Sequence, residues 1–241
     1  MNVKTRLYQI ARPIKTDKTK YEYIASHYNL PNYRVISSGE MNIRGKDLDL
    51  PFYVREFARQ HGEVVMMCNI INTEVSGIIF RALDEKVFTN YGLGKGNLYG
   101  IGQLDENFRY GDLIVLVEGA IDRDTCSLFI TRNCLSVLTS TITNNQLQVI
   151  QNLTNKVLLL LDNDEAGNNG EARTKRKLNQ AGITCYTISK SSYIKDLGDL
   201  LDMKMRKDYR ADVIINNYRT QVQIHGGKLV WYMNLVVLKI L

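Results

Sequence analysis

The chain has 241 residues, enough for one large domain or two small ones sharing a core. Hydrophobic residues make up 44% and charged residues 23%, the ordinary composition of a soluble globular protein. Lys and Arg outnumber Asp and Glu by 31 to 25, and a net charge of +6 suits a polyanionic partner without demanding one.

The first twenty residues carry Lys4, Arg6, Arg12, Lys15, Lys18 and Lys20 but no apolar centre, so they do not read as a signal peptide. Tyr21 to Tyr28 and Phe52 to Gln60 read as short helices. Glu63 to Ile71 and Val75 to Arg81 are β-rich runs separated by Asn72-Thr73-Glu74, which predicts an antiparallel hairpin. Residues 1–111 are therefore expected to form a mixed α+β subdomain.

From Leu113 the pattern changes. Leu113 to Val117 is an aliphatic run without polar alternation, as expected of a strand buried on both faces of a parallel sheet. Leu135 to Leu138, Val157 to Leu161 and Ile183 to Ile188 repeat that character. Helical stretches over Ile121 to Arg132, Gln146 to Leu153 and Glu171 to Asn179 separate them, the last ending near Gly182. Alternating strands and helices predict an α/β domain over residues 112–202, a mostly parallel sheet with helices on both faces. Residues 203–241 are expected to hold a basic helix, Met203 to Arg210, and an apolar tail. The run Leu229 to Leu241 is broken by Asn234 and Lys239 and falls short of the roughly 20 residues a bilayer span needs. With no signal peptide and no span, the expected location is the cytoplasm.

Cys68, Cys126, Cys134 and Cys185 form no CxxC pair, and His27, His61 and His225 complete no zinc pattern. The expectation is reduced, mostly buried thiols and no structural zinc.

Acidic residues cluster at the predicted strand ends, where open α/β sheets gather ligands. Glu118-Gly119 follows the first strand, Asp162-Asn163-Asp164 the third, and Asp196 and Asp199 come shortly after the fourth. Carboxylates crowded at one edge repel one another unless a cation sits among them. Mg²⁺ takes oxygen ligands and is usually held by one or two carboxylates plus substrate phosphates and water. This chemistry serves in-line phosphoryl transfer.

Val117-Glu118-Gly119-Ala120-Ile121-Asp122, Leu161-Asp162-Asn163-Asp164-Glu165-Ala166-Gly167 and Lys195-Asp196-Leu197-Gly198-Asp199-Leu200-Leu201 together resemble the Toprim domain. DnaG-type primases, type IA and II topoisomerases, and some nucleases and recombination proteins share it. Asp122, four residues after the glutamate, and the Asp-x-Asp-x-Ala-Gly form look like the primase version. Leu197 stands where primases usually have proline. Upstream, Ser76 to Arg81 and Lys95-Gly96-Asn97-Leu98-Tyr99-Gly100 look like primase segments, so the resemblance spans roughly residues 50–205.

The resemblance implies a DNA primase core of phage or mobile-element type that makes short RNA primers on single-stranded DNA from ribonucleoside triphosphates, with Mg²⁺ or Mn²⁺. It implies Glu118 as general acid/base or metal ligand and Asp162 and Asp164 as principal ligands. Asp122, Asp196 and Asp199 would surround them or hold a second metal. Arg81 and Lys95 would face phosphates. Arg173, Lys175, Arg176 and Lys177 crowd one helix; a solvated face accounts for most such runs, and phosphate contacts along a template are the functional reading. Zinc-ribbon ligands and a P-loop are missing, so a separate zinc-binding protein or helicase is the expected partner, with no membrane involved. A Toprim nuclease using the same carboxylates and a non-catalytic, DNA-binding recombination protein remain alternatives.

Overall fold

The computed structural model describes residues 1–14, 20–28, 33–83, 85–94 and 96–227. Lys95 and the tail Leu229 to Leu241 lie outside them. The chain divides into two compact units, Met1–Gly94 with Gly100–Gln103, and Lys95–Tyr99 with Leu104–Leu241.

The first unit runs α1 (Val3–Ile10), β1 (Arg12–Pro13), α2 (Lys20–Tyr28), β2 (Tyr33–Ser37), α3 (Ser38–Asp47), α4 (Phe52–His61), β3 (Glu63–Ile71), β4 (Glu74–Ala82) and β5 (Phe88–Tyr91). The five strands pair antiparallel in chain order. Asn72 and Thr73 both take positive φ, as a two-residue hairpin turn between β3 and β4 requires. The period of two then sorts the side chains. Val64, Met66 and Cys68 of β3 share one face with Ile78 and Phe80 of β4, and Leu7, Met41 and Val54 join that core from the helices. Arg81 pairs with Val65, which puts it on the opposite face.

Helices α1 and α3 and strand β2 have no counterpart in the sequence expectations. Their signals are local. Asn2 caps α1, and Ser37 and Glu40 form a reciprocal capping box on α3, whose two glycines give it little helix propensity of its own.

The second unit runs β6 (Ile114–Val117), α5 (Ala120–Phe129), β7 (Cys134–Ser136), α6 (Asn144–Leu153), β8 (Lys156–Leu159), α7 (Glu165–Gln180), β9 (Thr184–Thr187), α8 (Leu197–Met205) and α9 (Arg210–Gly226). All four strands are parallel, in the order β7-β6-β8-β9. Strands β6 and β7 are fully buried, which is why they read as unbroken aliphatic runs. The chain steps one way from β6 to β7 and the other way from β8 to β9. With right-handed crossovers, α5 lies on one face and α6 and α7 on the other. Helix α8 packs on α5, and α9 on α8 and β8. The mostly parallel sheet flanked by helices is the expected α/β class.

Boundaries differ from the expectations mostly by a few residues. Helix α7 starts earlier, at Glu165, because Asp164 caps it, and Gly182 at φ 79° lets the chain leave it. The basic helix expected over Met203 to Arg210 is corrected: α8 stops at Met205, Lys207 turns the chain at φ 58°, and a separate helix starts at Arg210. Its buried face, Ala211, Ile214, Ile215 and Tyr218, has the helical period. All four cysteines are free and buried. Among the described residues no helix is long and apolar enough to cross a membrane.

Candidate metal centre

Glu118 follows β6 and Asp162 closely follows β8. The two strands are neighbours, with Leu116 opposite Leu159 and the Leu160 amide donating to the Leu116 carbonyl at 2.9 Å. Their outgoing connections diverge to opposite faces of the sheet. That is the switch point at which open α/β sheets form a crevice.

The Glu118 carbonyl accepts from the Leu138 amide at 2.9 Å and from Ser136 Oγ at 2.7 Å. Its carboxylate is treated differently: among the described residues, Oε2 is buried without a hydrogen-bond partner. Burial raises its pKa, and Asp164 and Asp122 push the same way. Asp162 is pushed up to about 7, mainly by burial and then by Glu118 and Asp196. Asp164 behaves otherwise. Its Oδ1 caps α7 by accepting from the Gly167 amide at 2.8 Å, and its Oδ2 pairs with Lys195 Nζ at 3.0 Å. Those contacts, the Gly167 amide first, hold its pKa below the usual value.

The other acidic residues act as struts. Asp122 Oδ2 accepts from the Gly119 amide and Oδ1 from the Gly198 amide, both at 3.0 Å. One carboxylate thus ties the start of α5 to the start of α8, with both oxygens engaged. Burial, with Asp196 and Asp162 nearby, lifts it to about 7. Asp196 caps α8 through the Asp199 amide at 2.8 Å, and Asp199 Oδ2 accepts from the Lys195 amide at 2.8 Å.

Lys190 and Tyr218, which no sequence motif announced, complete the centre together with Asn163 and Gly167 of the quoted motifs. The Asn163 amide donates to the Lys195 carbonyl at 2.6 Å, joining the loop after β8 to the loop after β9. Lys190 Nζ reaches the Asp162 carbonyl at 3.2 Å, Asn168 Oδ1 at 3.0 Å and Glu171 Oε2 at 2.9 Å. Tyr218 of α9 accepts from the Ser191 amide at 3.1 Å and lines the cavity with Asp122, Asp162, Lys190, Lys195 and Asp196. A Cβ at Gly167 would overlap the Asp162 carbonyl oxygen, so only glycine lets the first turn of α7 come this close. Beneath α5, a fully buried ion pair joins Arg123 to Asp124 at 2.8 Å, and Tyr99 donates to Asp124 at 3.0 Å. Tyr99 also bridges to Ser136. Only the spacing Gly96-Asn97-Leu98-Tyr99-Gly100 hinted at this segment.

Glu118, Asp162 and Asp164 therefore share one edge with Asp122, Asp196 and Asp199 around them. Among the described residues, however, no three acidic, histidine or cysteine side chains converge closely enough to hold an ion by themselves. The donor set still fits a hard cation. It offers an unpartnered buried carboxylate oxygen on Glu118 and a second carboxylate whose ionisation its neighbours oppose.

Arg81 belongs to the first unit, where Nε donates to Tyr21 Oη at 2.6 Å and the guanidinium lies 5.9 Å from the Phe88 ring centroid. On α7, Arg173 and Arg176 are exposed, Lys175 is partly buried, and Lys177 Nζ is tied to the Ile142 carbonyl at 2.9 Å.

Residues 115–201 match the family model described as Toprim-like. No curated protein matches the chain in sequence. Solved structures match over most of its length. The zinc-binding and RNA polymerase domains of Aquifex aeolicus primase are 20% identical at a TM-score of 0.61, over 89% of this chain and 59% of that one. A DnaG primase catalytic domain bound to single-stranded DNA is 14% identical at 0.62, over 92% and 81%. The E. coli primase catalytic core is 17% identical at 0.58, over 91% and 79%. The chain shares the fold of these primase catalytic cores, with a Toprim-like segment over residues 115–201, and spans less than two thirds of the Aquifex structure.

Proposed function

From a Toprim-like domain set in a primase-type fold, we propose that this protein is a DNA primase core, joining ribonucleotides on a single-stranded DNA template. The observation that carries the reading is the pairing of two features. Glu118, half-buried with one carboxylate oxygen unpartnered among the described residues, and Asp162, whose burial and acidic neighbours oppose its charge, stand at the switch point of the parallel sheet. The likeness to primase catalytic cores extends over about nine tenths of the chain, beyond the Toprim-like segment alone.

A divalent cation, Mg²⁺ or Mn²⁺, would be held by Glu118, Asp162 and Asp164 Oδ2, the oxygen that pairs with Lys195, where it would offset the charge of transferring phosphates. Since no three such side chains among the described residues close on an ion by themselves, substrate phosphates and water would complete its shell. In the transfer, a 3′-hydroxyl oxygen bonds to the α-phosphorus of the incoming nucleotide as pyrophosphate leaves. Glu118, with its pKa raised and Oε2 unpartnered among the described residues, would take the hydroxyl proton. Asp122, Asp196 and Asp199 hold the three loops in register. Arg81, Lys95 and the α7 cations Arg173, Lys175, Arg176 and Lys177 are the proposed phosphate contacts. A replicative helicase and a separate zinc-binding protein are the proposed partners, in the cytoplasm.

The test is direct. Purified protein receives a single-stranded template, labelled ribonucleotides and Mg²⁺ or Mn²⁺. Short RNA products that vanish in Asp162→Ala and Glu118→Ala are expected. Degraded template without RNA product would refute synthesis and support the nuclease reading.

A further inference from the structure

Two lysines stand at the acidic edge, and they are held differently. Lys190 divides its ammonium among the Asp162 carbonyl, Asn168 and Glu171, and its side chain is only 10% exposed. Those contacts fix it as part of the frame. Lys195 is 55% exposed and its ammonium pairs with Asp164 Oδ2 at 3.0 Å. Its backbone is pinned on both sides, the amide to Asp199 Oδ2 at 2.8 Å and the carbonyl to the Asn163 amide at 2.6 Å. The residue is therefore a fixed root carrying an ion-paired but solvent-exposed head.

Asp164 is also constrained. Its Oδ1 is committed to the Gly167 amide at 2.8 Å as the cap of α7, so the carboxylate cannot rotate to offer another oxygen. Only Oδ2 is open to exchange, and Lys195 sits on it. After Asp164, the charges that act most on that ammonium are those of Asp162 and Asp196.

We propose that Lys195 is an internal counter-ion of the carboxylate centre: its ammonium holds Asp164 Oδ2 until a divalent cation displaces it, and then turns to the phosphates of the bound nucleotide. The inference rests on the metal-dependent reading above. A divalent ion brings twice the charge of an ammonium to the same oxygen, and a half-exposed ion pair resists displacement only weakly. The four-carbon stem lets the ammonium move several ångströms without backbone change. A triphosphate arriving with the cation offers it strong acceptors, and a lysine suits them as a rotatable point charge. The arrangement keeps the carboxylates together before the metal arrives and supplies a phosphate ligand afterwards.

Mn²⁺ binding, read by electron paramagnetic resonance of the free ion, tests this with wild type, Lys195→Met and Lys195→Arg. Removing the competitor is expected to tighten Mn²⁺ binding roughly two- to fivefold in Lys195→Met. Lys195→Arg keeps the charge and is expected to bind no tighter than wild type. At saturating Mn²⁺, calorimetric titration with ATP is expected to show weaker binding to Lys195→Met. Equal or weaker Mn²⁺ binding by Lys195→Met, or unchanged ATP binding, would overturn the inference while leaving the metal reading intact. A wild type that binds no Mn²⁺ would instead overturn the metal reading itself.

Discussion

Replacing Asp122 by asparagine should flatten the dependence of stability on pH. In the fold this carboxyl is raised from 3.8 to about 7, by burial first and then by Asp196 and Asp162. Folding therefore favours its protonated form. The stability it contributes is complete below pH 3.8 and is lost as pH rises to about 7. At about 1.4 kcal/mol per pH unit, the loss between pH 5 and pH 8 has a ceiling of roughly 2.5 kcal/mol. The crevice is partly open to water, which screens the charges, so a measured difference of about 1 kcal/mol is the realistic expectation. Asparagine occupies the same volume, keeps one acceptor oxygen for Gly119 or Gly198, and carries no charge. Its lost hydrogen bond costs about 1–2 kcal/mol at every pH and cancels from the slope. Urea denaturation of both proteins at pH 5 and pH 8, with chelator present, gives the comparison. Wild type should lose the larger stability across that interval. Parallel losses in the two proteins would refute the account of Asp122 as a strained strut.

Three further outcomes follow from the same geometry. Gly167→Ala must push α7 away from the Asp162 carbonyl, at a cost of ~1–3 kcal/mol, and should weaken Mn²⁺ binding along with thermal stability. Tyr99→Phe withdraws a donor from the buried Asp124, and chemical denaturation should show a loss of about 1–2 kcal/mol with Mn²⁺ affinity unchanged. Lys190→Met leaves Glu171 without its ammonium, and a lowered melting temperature is expected, equivalent to ~2 kcal/mol or more.

The parallel sheet was legible because strands buried on both faces leave unbroken aliphatic runs, as Ile114 to Val117 does. Glu118 and Asp162 were legible for the same reason, since each stands just past such a run. The role of Asp122 was not. Its partner Gly198 lies 76 residues on, and no local pattern announces a contact at that separation. Lys190 is hidden likewise, its partners gathered from the loop after β8 and from α7. Other omissions were readable. The capping box Ser37 to Glu40 marks the start of α3, and Ala211, Ile214, Ile215 and Tyr218 repeat at helical spacing along α9. The failed basic helix has a local cause: charge continues through Met203 to Arg210, but the backbone reverses at Lys207.

The bridge from Asp122 to Gly198 also fixes an order of events during synthesis. A chain leaving the ribosome exposes Glu118 and Asp122 first and Asp162 some forty residues later. Until α8 follows, Asp122 Oδ1 lacks the Gly198 amide and the loop carrying Lys195 has no anchor at Asp199. The first three strands and their helices can pack before then, since their contacts are nearer in sequence. The acidic crevice is thus among the last parts of the domain to take shape, and a nascent chain cut short before Gly198 would carry its carboxylates without the frame that aligns them.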